Sequence, residues 1–468
     1  MIERYKVRLV ARGFTQMPGI DFDQVFSPVV KLTSIRILCS LAVRLQLHFH
    51  HLDVDTAFLN GKLQEELYMR LPHGIGEYSN RLVHLRRSIY GLKQASHVWN
   101  QLLDSELKTM GFRHIHADHC IYILCQKGYI AFLAVYVDNM GLLSNDLTFM
   151  QKIKDKIGQC FRIKDLGWIH QLLGIAIEYN YRARTIHLSQ TRYIEDSIIR
   201  FGCNDGHTFA TPLSFGIKLS KNNSCSAGQE HNIDSSHYQS IIGTLMYAML
   251  GTHPDITYTV GCLSKYSANP SRTHLDQALH CLCYLAGTKT FGLKYDGNLD
   301  GDMLSLILGY LDSDWAGDMD TRCSTGGYVF LMCGAAISWS SKLQTSPALP
   351  SVEAEYMAIT RAAQEAIWIC QLLEDLGYRQ TRPTTLFGDN QGAIALASNP
   401  SDHLRTKHIA LRHHFIRFAV SNDAVLLEYI STSEMAADGF TKELSGPKHR
   451  SFIEMLGLSP RPSGSIAE

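Results

Sequence analysis

The chain has 468 residues, 45% of them hydrophobic and 19% charged, with Lys+Arg and Asp+Glu at 44 each. That length exceeds one ordinary core and suits two or three domains of about 150 residues, and the apolar content excludes a disordered chain. The balanced charge excludes a protein that is basic throughout, so any nucleic-acid binding must come from local patches. Met1 to Lys6 shows no signal-peptide pattern. The longest apolar run, Tyr129 to Val137, falls far short of the roughly 18 residues of a spanning helix. A soluble intracellular chain without a membrane partner is expected. Among the 12 cysteines no pair has C-x-x-C spacing, which favours reduced, buried thiols over zinc or disulfides.

In chain order, residues 5–12 alternate apolar and cationic side chains and predict a strand with Lys6 and Arg8 on one face. Helical spacing covers 33–47, and a strand is expected near 50–54. A helix spans about 96–110, and strands follow over 121–126 and 129–137, with Asp138-Asn139 as a tight turn between apolar segments. Polar and small residues from 213 to 237 read as a linker or exposed loop. Helical stretches near 238–250 and 274–286 lead to an α/β unit. Its strands are 304–311, 326–333, 335–340 and 384–388, and its helices 351–376 and 391–398. The tail after Leu458 reads as disordered.

Two sets of acids carry the chemistry. Asp53 ends a buried strand and Asp138 sits at a hairpin tip. Two such carboxylates side by side repel unless a cation lies between them. Taken singly, each could equally cap or make a turn. The combination resembles a known family: Lys6 to Gln16, Phe26 to Val30, Asp53 to Leu59, Ser88 to Ala95 and Tyr136-Val137-Asp138 are similar, in order and spacing, to the reverse transcriptase of copia-type LTR retrotransposons. Asp165-Leu166-Gly167 and Leu172 to Ile175 continue the likeness. The resemblance implies Asp53 and Asp138 as metal ligands and Lys6 and Arg8 at the triphosphate. It places Phe58 under the sugar, Gln94 beside the templating base and Tyr136 under the primer terminus. This chain has Asn139 where the family has a second Asp, and Ser96 and His97 where it usually has Pro and Arg.

The second set lies further on. Asp312 follows an apolar run, Glu355 falls in the first turns of a long helix, Asp389 ends a strand, and Asp438 lies at an apparent helix start. Acids at strand ends and helix starts of one α/β unit suit two-metal phosphodiester hydrolysis, although each alone could be a cap or a solvated group. Gly309 to Asp318, Ala336 to Trp339, Glu353 to Tyr356, Asp389 to Gln391, Arg405 to Ile409 and Ala437-Asp438 resemble the ribonuclease H that follows the polymerase in the same polyproteins. That likeness favours Glu355 over its neighbour Glu353.

The resemblance therefore implies an α+β and α/β multidomain chain. Residues 1–215 would be a right-hand polymerase with truncated fingers, 216–300 a linker and connecting, thumb-like region, 301–447 a ribonuclease H-like domain, and 448–468 a tail. It implies Mg²⁺, two per active site, with Mn²⁺ as an alternative. The implied partners are an RNA template, a DNA primer, dNTPs and an RNA–DNA hybrid, and the implied location is the cytoplasm or nucleus. Asn139 and the truncated fingers leave two other readings open, a decayed copy that binds nucleic acid without turnover and a nuclease only.

Overall fold

Ala131 to Val135 are buried without a break, so this strand needs neighbours on both edges as well as cover on its faces. A computed structural model describes residues 7–74, 78–203, 206–221, 233–299, 307–345, 351–398 and 410–461. It divides into two units, Met1–Lys31 with Leu47–Leu172 and Leu32–Gln46 with Leu173–Glu468.

In the first unit, six strands lie in the order Arg113–His114, Ile121–Gln126, Tyr129–Tyr136, Asn139–Ser144, His48–Val54, Ile163–Trp168. Helices Ala95–Thr109 and Leu147–Cys160 place Trp99, Leu103, Phe149 and Ile153 against Leu52, Leu133 and Leu142 of the sheet. Asp146 caps the second helix, accepting from the Phe149 amide at 2.7 Å. Trp99 Nε1 donates to the Val137 carbonyl at 2.7 Å, which ties a core helix to the turn carrying Asp138.

In the second unit, strands Ile175–Asn180, Thr185–Ser189, Phe291–Asp296 and Leu458–Pro460 run antiparallel beside several helices. A separate five-stranded sheet has the order Ala335–Leu343, Thr325–Met332, Leu308–Ser313, Thr384–Gly388, Val425–Tyr429. Its first three strands are antiparallel, and the last two join in parallel. The helix Ser351–Asp375 packs across Leu308–Ser313 and Thr325–Met332. Among the described residues no helix is long and apolar enough to cross a membrane.

Four expectations are corrected. Residues 7–12 form no strand and leave Val7 94% exposed. Alternation can assign faces, but a strand also needs a hydrogen-bonded neighbour, and the nearby Lys62–Arg70 and Leu82–Arg87 pair only with each other. The hairpin turn is Val137-Asp138, because Tyr136 pairs with Asn139, which opens the next strand. Val137 takes up the left-handed backbone, with φ 56°, where an Asp-Asn turn was expected. The tail is ordered through Pro460, whose strand holds a sheet edge beside Phe291–Asp296, a position where proline's missing N–H is tolerated. Lys6, Arg405 to Ile409 and most of the polar loop (222–232) lie outside the described residues. The described cysteines are free, but Cys125 and Cys160 are exposed rather than buried.

A buried polar chain joins the C-terminal helix Gly446–Met455 to its neighbours. His449 Nε2 lies 3.1 Å from Tyr284 Oη, Tyr284 donates to Asp255, and Asp255 lies 3.2 Å from His253 Nδ1. Burial holds His449 below the ordinary histidine value against the pull of Asp255. Its folded pKa is therefore depressed, and the unfolded chain takes up the proton first. The stability it contributes is present above about pH 6.5 and is lost as pH falls below that value. The drop in melting temperature between about pH 7.5 and 5.5 should shrink in His449→Gln, measured by thermal denaturation of both proteins.

Candidate functional site

Asp53 lies directly across from Asn139 in adjacent antiparallel strands, and the Val54 amide donates to the Asp138 carbonyl at 2.8 Å. The register therefore brings Asp53 and Asp138 to one end of the same sheet. Asn139 is held on both sides: its Nδ2 donates to Asp138 Oδ1 at 3.0 Å, and its Oδ1 lies 3.1 Å from His51 Nε2. Lys164, paired with Asp53 in the next strand, gives its ammonium to Asp55, and the Arg162 guanidinium Nε lies 3.1 Å from the same carboxylate. Phe58 meets the Tyr90 ring edge-on at 4.9 Å, and the Arg8 guanidinium lies 5.3 Å from that same ring. Tyr136 is 37% exposed, across from Asn139.

Gln94 behaves differently from the expectation of a nucleotide contact. It is 1% exposed, donates to the Asp21 carbonyl at 2.9 Å and to Glu65 at 3.3 Å, and accepts from Gln16 at 3.0 Å. Its amide orders protein segments.

The second set converges more tightly. Asp312 is the penultimate residue of the strand Leu308–Ser313, and Asp389 follows Thr384–Gly388, its parallel neighbour. Asp438 opens the short turn Asp438–Phe440. One carboxylate oxygen from each of the three lies within 4.8 Å of the others. Glu355 is buried on the helix crossing that sheet. Burial first, then Asp312 and Asp389, push its carboxyl up to about 9. Burial likewise pushes Asp312 up, against the opposing pull of Lys442 and Thr441.

The partners around these acids explain their positions. The Thr441 hydroxyl donates to Asp312, and Thr432 Oγ1 donates to Asp389 at 3.0 Å. Lys442 Nζ stands 3.0 Å from Asp438 Oδ1 and 3.7 Å from Asp312 Oδ2. Asp438 Oδ1 is buried, and the Lys442 ammonium is the partner it meets among the described residues. Hard oxygen donors that repel one another fit Mg²⁺ or Mn²⁺ better than a softer metal. Neighbouring acids do other work: Asp314 accepts the Thr325 amide, and Asp318 pairs with Lys265.

Gly327 is paired with Asp312, and a Cβ there would lie 2.5 Å from Phe440 Cβ. Only glycine lets the Asp438 turn approach this closely. Gly327→Ala should cost about 1–3 kcal/mol, read as a lower urea midpoint, and should weaken Mn²⁺ binding in calorimetry.

Thr441, Lys442, Thr432 and Gly327 escaped the sequence reading. The Asp438-to-Lys442 spacing was visible, but nothing local tied either residue to Asp312.

Comparison with known proteins agrees with the motif order. Residues 1–215 match the family described as reverse transcriptase (RNA-dependent DNA polymerase). The Retrovirus-related Pol polyprotein from transposon TNT 1-94 of Nicotiana tabacum is 40% identical over 460 residues, which cover 97% of this chain and 34% of that protein. The corresponding polyprotein from transposon RE1 of Arabidopsis thaliana is 39% identical, covering 98% of this chain and 31% of that protein. The putative transposon Ty5-1 protein of Saccharomyces cerevisiae is 33% identical and covered over 100% of its length, matching 67% of this chain. A solved foamy viral protease–reverse transcriptase in complex with double-stranded DNA superposes with a TM-score of only 0.20 at 11% identity, over 82% of this chain and 59% of that one, too low to argue from. The chain spans about a third of the length of the plant relatives it matches. With this motif order and these relatives, the chain belongs to the reverse transcriptase family of copia-type retrotransposon Pol polyproteins.

Proposed function

We propose that the chain is an RNA-directed DNA polymerase fused to a ribonuclease H that cleaves the RNA strand of RNA–DNA hybrids. In this reading, residues 1–215 form palm and fingers, 216–300 a connecting, thumb-like region, 301–447 the ribonuclease H and 448–468 a C-terminal segment ordered through Pro460. The observation that carries the hydrolytic half is the convergence of Asp312, Asp389 and Asp438, contributed by three separate segments, within 4.8 Å, with Glu355 buried nearby. These four acids would hold the divalent ions. When bound, Mg²⁺ supplies charge stabilisation to the scissile phosphodiester and lowers the pKa of water. Asp312 is oriented by the Thr441 hydroxyl and Asp389 by Thr432.

For synthesis, Asp53 and Asp138 would hold the ions at the sheet end, with dNTP, RNA template and DNA primer as partners. The Phe58–Tyr90 pair forms an aromatic wall with Arg8 beside it, suited to a sugar and its phosphates. Lys6 is assigned to the same phosphates, Tyr136 to the primer end, and Gln94 acts through Gln16 and Glu65. The hybrid would be recognised by its A-like shape and 2′-hydroxyls. Asn139 favours a second reading, a nuclease whose polymerase half only holds the hybrid, because its amide occupies Asp138 Oδ1 where a second acid would add charge.

Two assays on the purified chain separate these readings. Primer extension on an RNA template and cleavage of a labelled RNA strand in a hybrid, each with Mg²⁺, should both be positive under the first. Cleavage without extension supports the second, and failure of both in a folded protein contradicts each.

A further inference from the structure

Asp312 and Asp438 are almost wholly buried, and with Asp389 their oxygens lie within 4.8 Å of one another. Charges so arranged repel strongly unless a positive group answers them. The protein supplies one of its own: Lys442 Nζ contacts Asp438 Oδ1 at 3.0 Å and stands 3.7 Å from Asp312 Oδ2. It therefore bridges two of the three groups that a shared divalent ion would need.

We propose that Lys442 is a tethered counter-ion that occupies the carboxylate cluster and is displaced when a divalent cation binds there. The inference rests on reading the cluster as a divalent-ion site and adds a competitor to it. The residue suits that task. An ammonium is a compact, strongly hydrated charge on a flexible four-carbon stem, and this side chain is 43% exposed, so its head can swing into water without becoming a buried orphan. Lys442 follows Asp438 at i,i+4, so release needs only rotation of the side chain. The competition would hold the acids in place in the metal-free protein and weaken metal affinity in return.

Calorimetric titration with Mn²⁺ of the full chain, Lys442→Met and Lys442→Arg provides the test. Lys442→Met should bind about tenfold more tightly, while Lys442→Arg should not exceed the native protein. The metal-free Lys442→Met protein should melt lower, with the gap closing at saturating Mn²⁺. A second readout needs no variant: in ¹⁵N-lysine-labelled native protein, the protected Lys442 ammonium signal should disappear as Mg²⁺ is added. Unchanged or weaker Mn²⁺ binding by Lys442→Met, or an ammonium signal that survives saturation with Mg²⁺, overturns the proposal. If native protein and Lys442→Met both fail to bind Mn²⁺, the divalent-site reading itself fails.

Discussion

Asp312→Asn is expected to lower cleavage of the RNA strand in an RNA–DNA hybrid by about a thousandfold, or about 4 kcal/mol of transition-state stabilisation. The substitution keeps the shape of the side chain and an oxygen able to accept from Thr441, so little packing changes. It removes one negative charge from a buried cluster in which Asp312 and Asp389 already push Glu355 up to about 9, after burial itself. Stability without metal should therefore hold or rise, since the repulsion falls while the hydrogen bond survives. Gel analysis of labelled RNA together with a thermal melt separates this pattern from simple unfolding, which would lower both. Asp320→Asn is the control. Asp320 accepts from Tyr266 and the Lys221 amide outside the cluster, and cleavage should stay within a few-fold of native. Equal cleavage by native protein and Asp312→Asn would contradict the assignment.

Asn139→Asp should raise primer extension by about a hundredfold, the equivalent of about 3 kcal/mol. The amide now donates to Asp138 Oδ1. A carboxylate there would lose that bond and stand beside Asp138 with Asp53 directly across the strand pair. Without metal the variant should melt lower, since among the described residues only the His51 contact answers the added charge. Mg²⁺ should restore the melting temperature, and synthesis should rise with it. The double variant Asp53→Asn, Asn139→Asp should show no gain. Extension that stays at native level in Asn139→Asp, while Mg²⁺ still restores its melting temperature, would place the limit outside this pair.

Long, strongly patterned elements were legible in the sequence because local rules determine them. The helices Leu32–Leu45, Ala95–Thr109 and Ser351–Asp375 and the strands Ile121–Gln126 and Tyr129–Tyr136 follow from apolar spacing within each segment. The failures came where a distant partner decides. Residues 7–12 alternate like a strand but have no ladder, and Leu458–Pro460 reads as a tail yet pairs with Phe291–Asp296. Helices Leu147–Cys160 and Thr191–Phe201 went unread although their start and end signals are present: Asp146 caps the first, and Gly202 closes the second at φ 73°. Of the candidate site, the acids were singled out by the family-like motifs around them, since each alone reads as a cap, a turn or a solvated group. Their partners were not: Thr441 and Lys442 meet Asp312 only through tertiary folding. Nothing in Lys93-Gln94-Ala95 shows that the Gln94 amide turns inward to Gln16 and Glu65.

Anomalous diffraction from crystals of the native chain grown with Mn²⁺ tests most directly whether the remote acids form an ion cradle. The account predicts a difference peak bounded by Asp312, Asp389 and Asp438, with Glu355 adjoining it, and no such peak in Asp312→Asn. Native crystals with Mn²⁺ bound elsewhere and none among these carboxylates would contradict it.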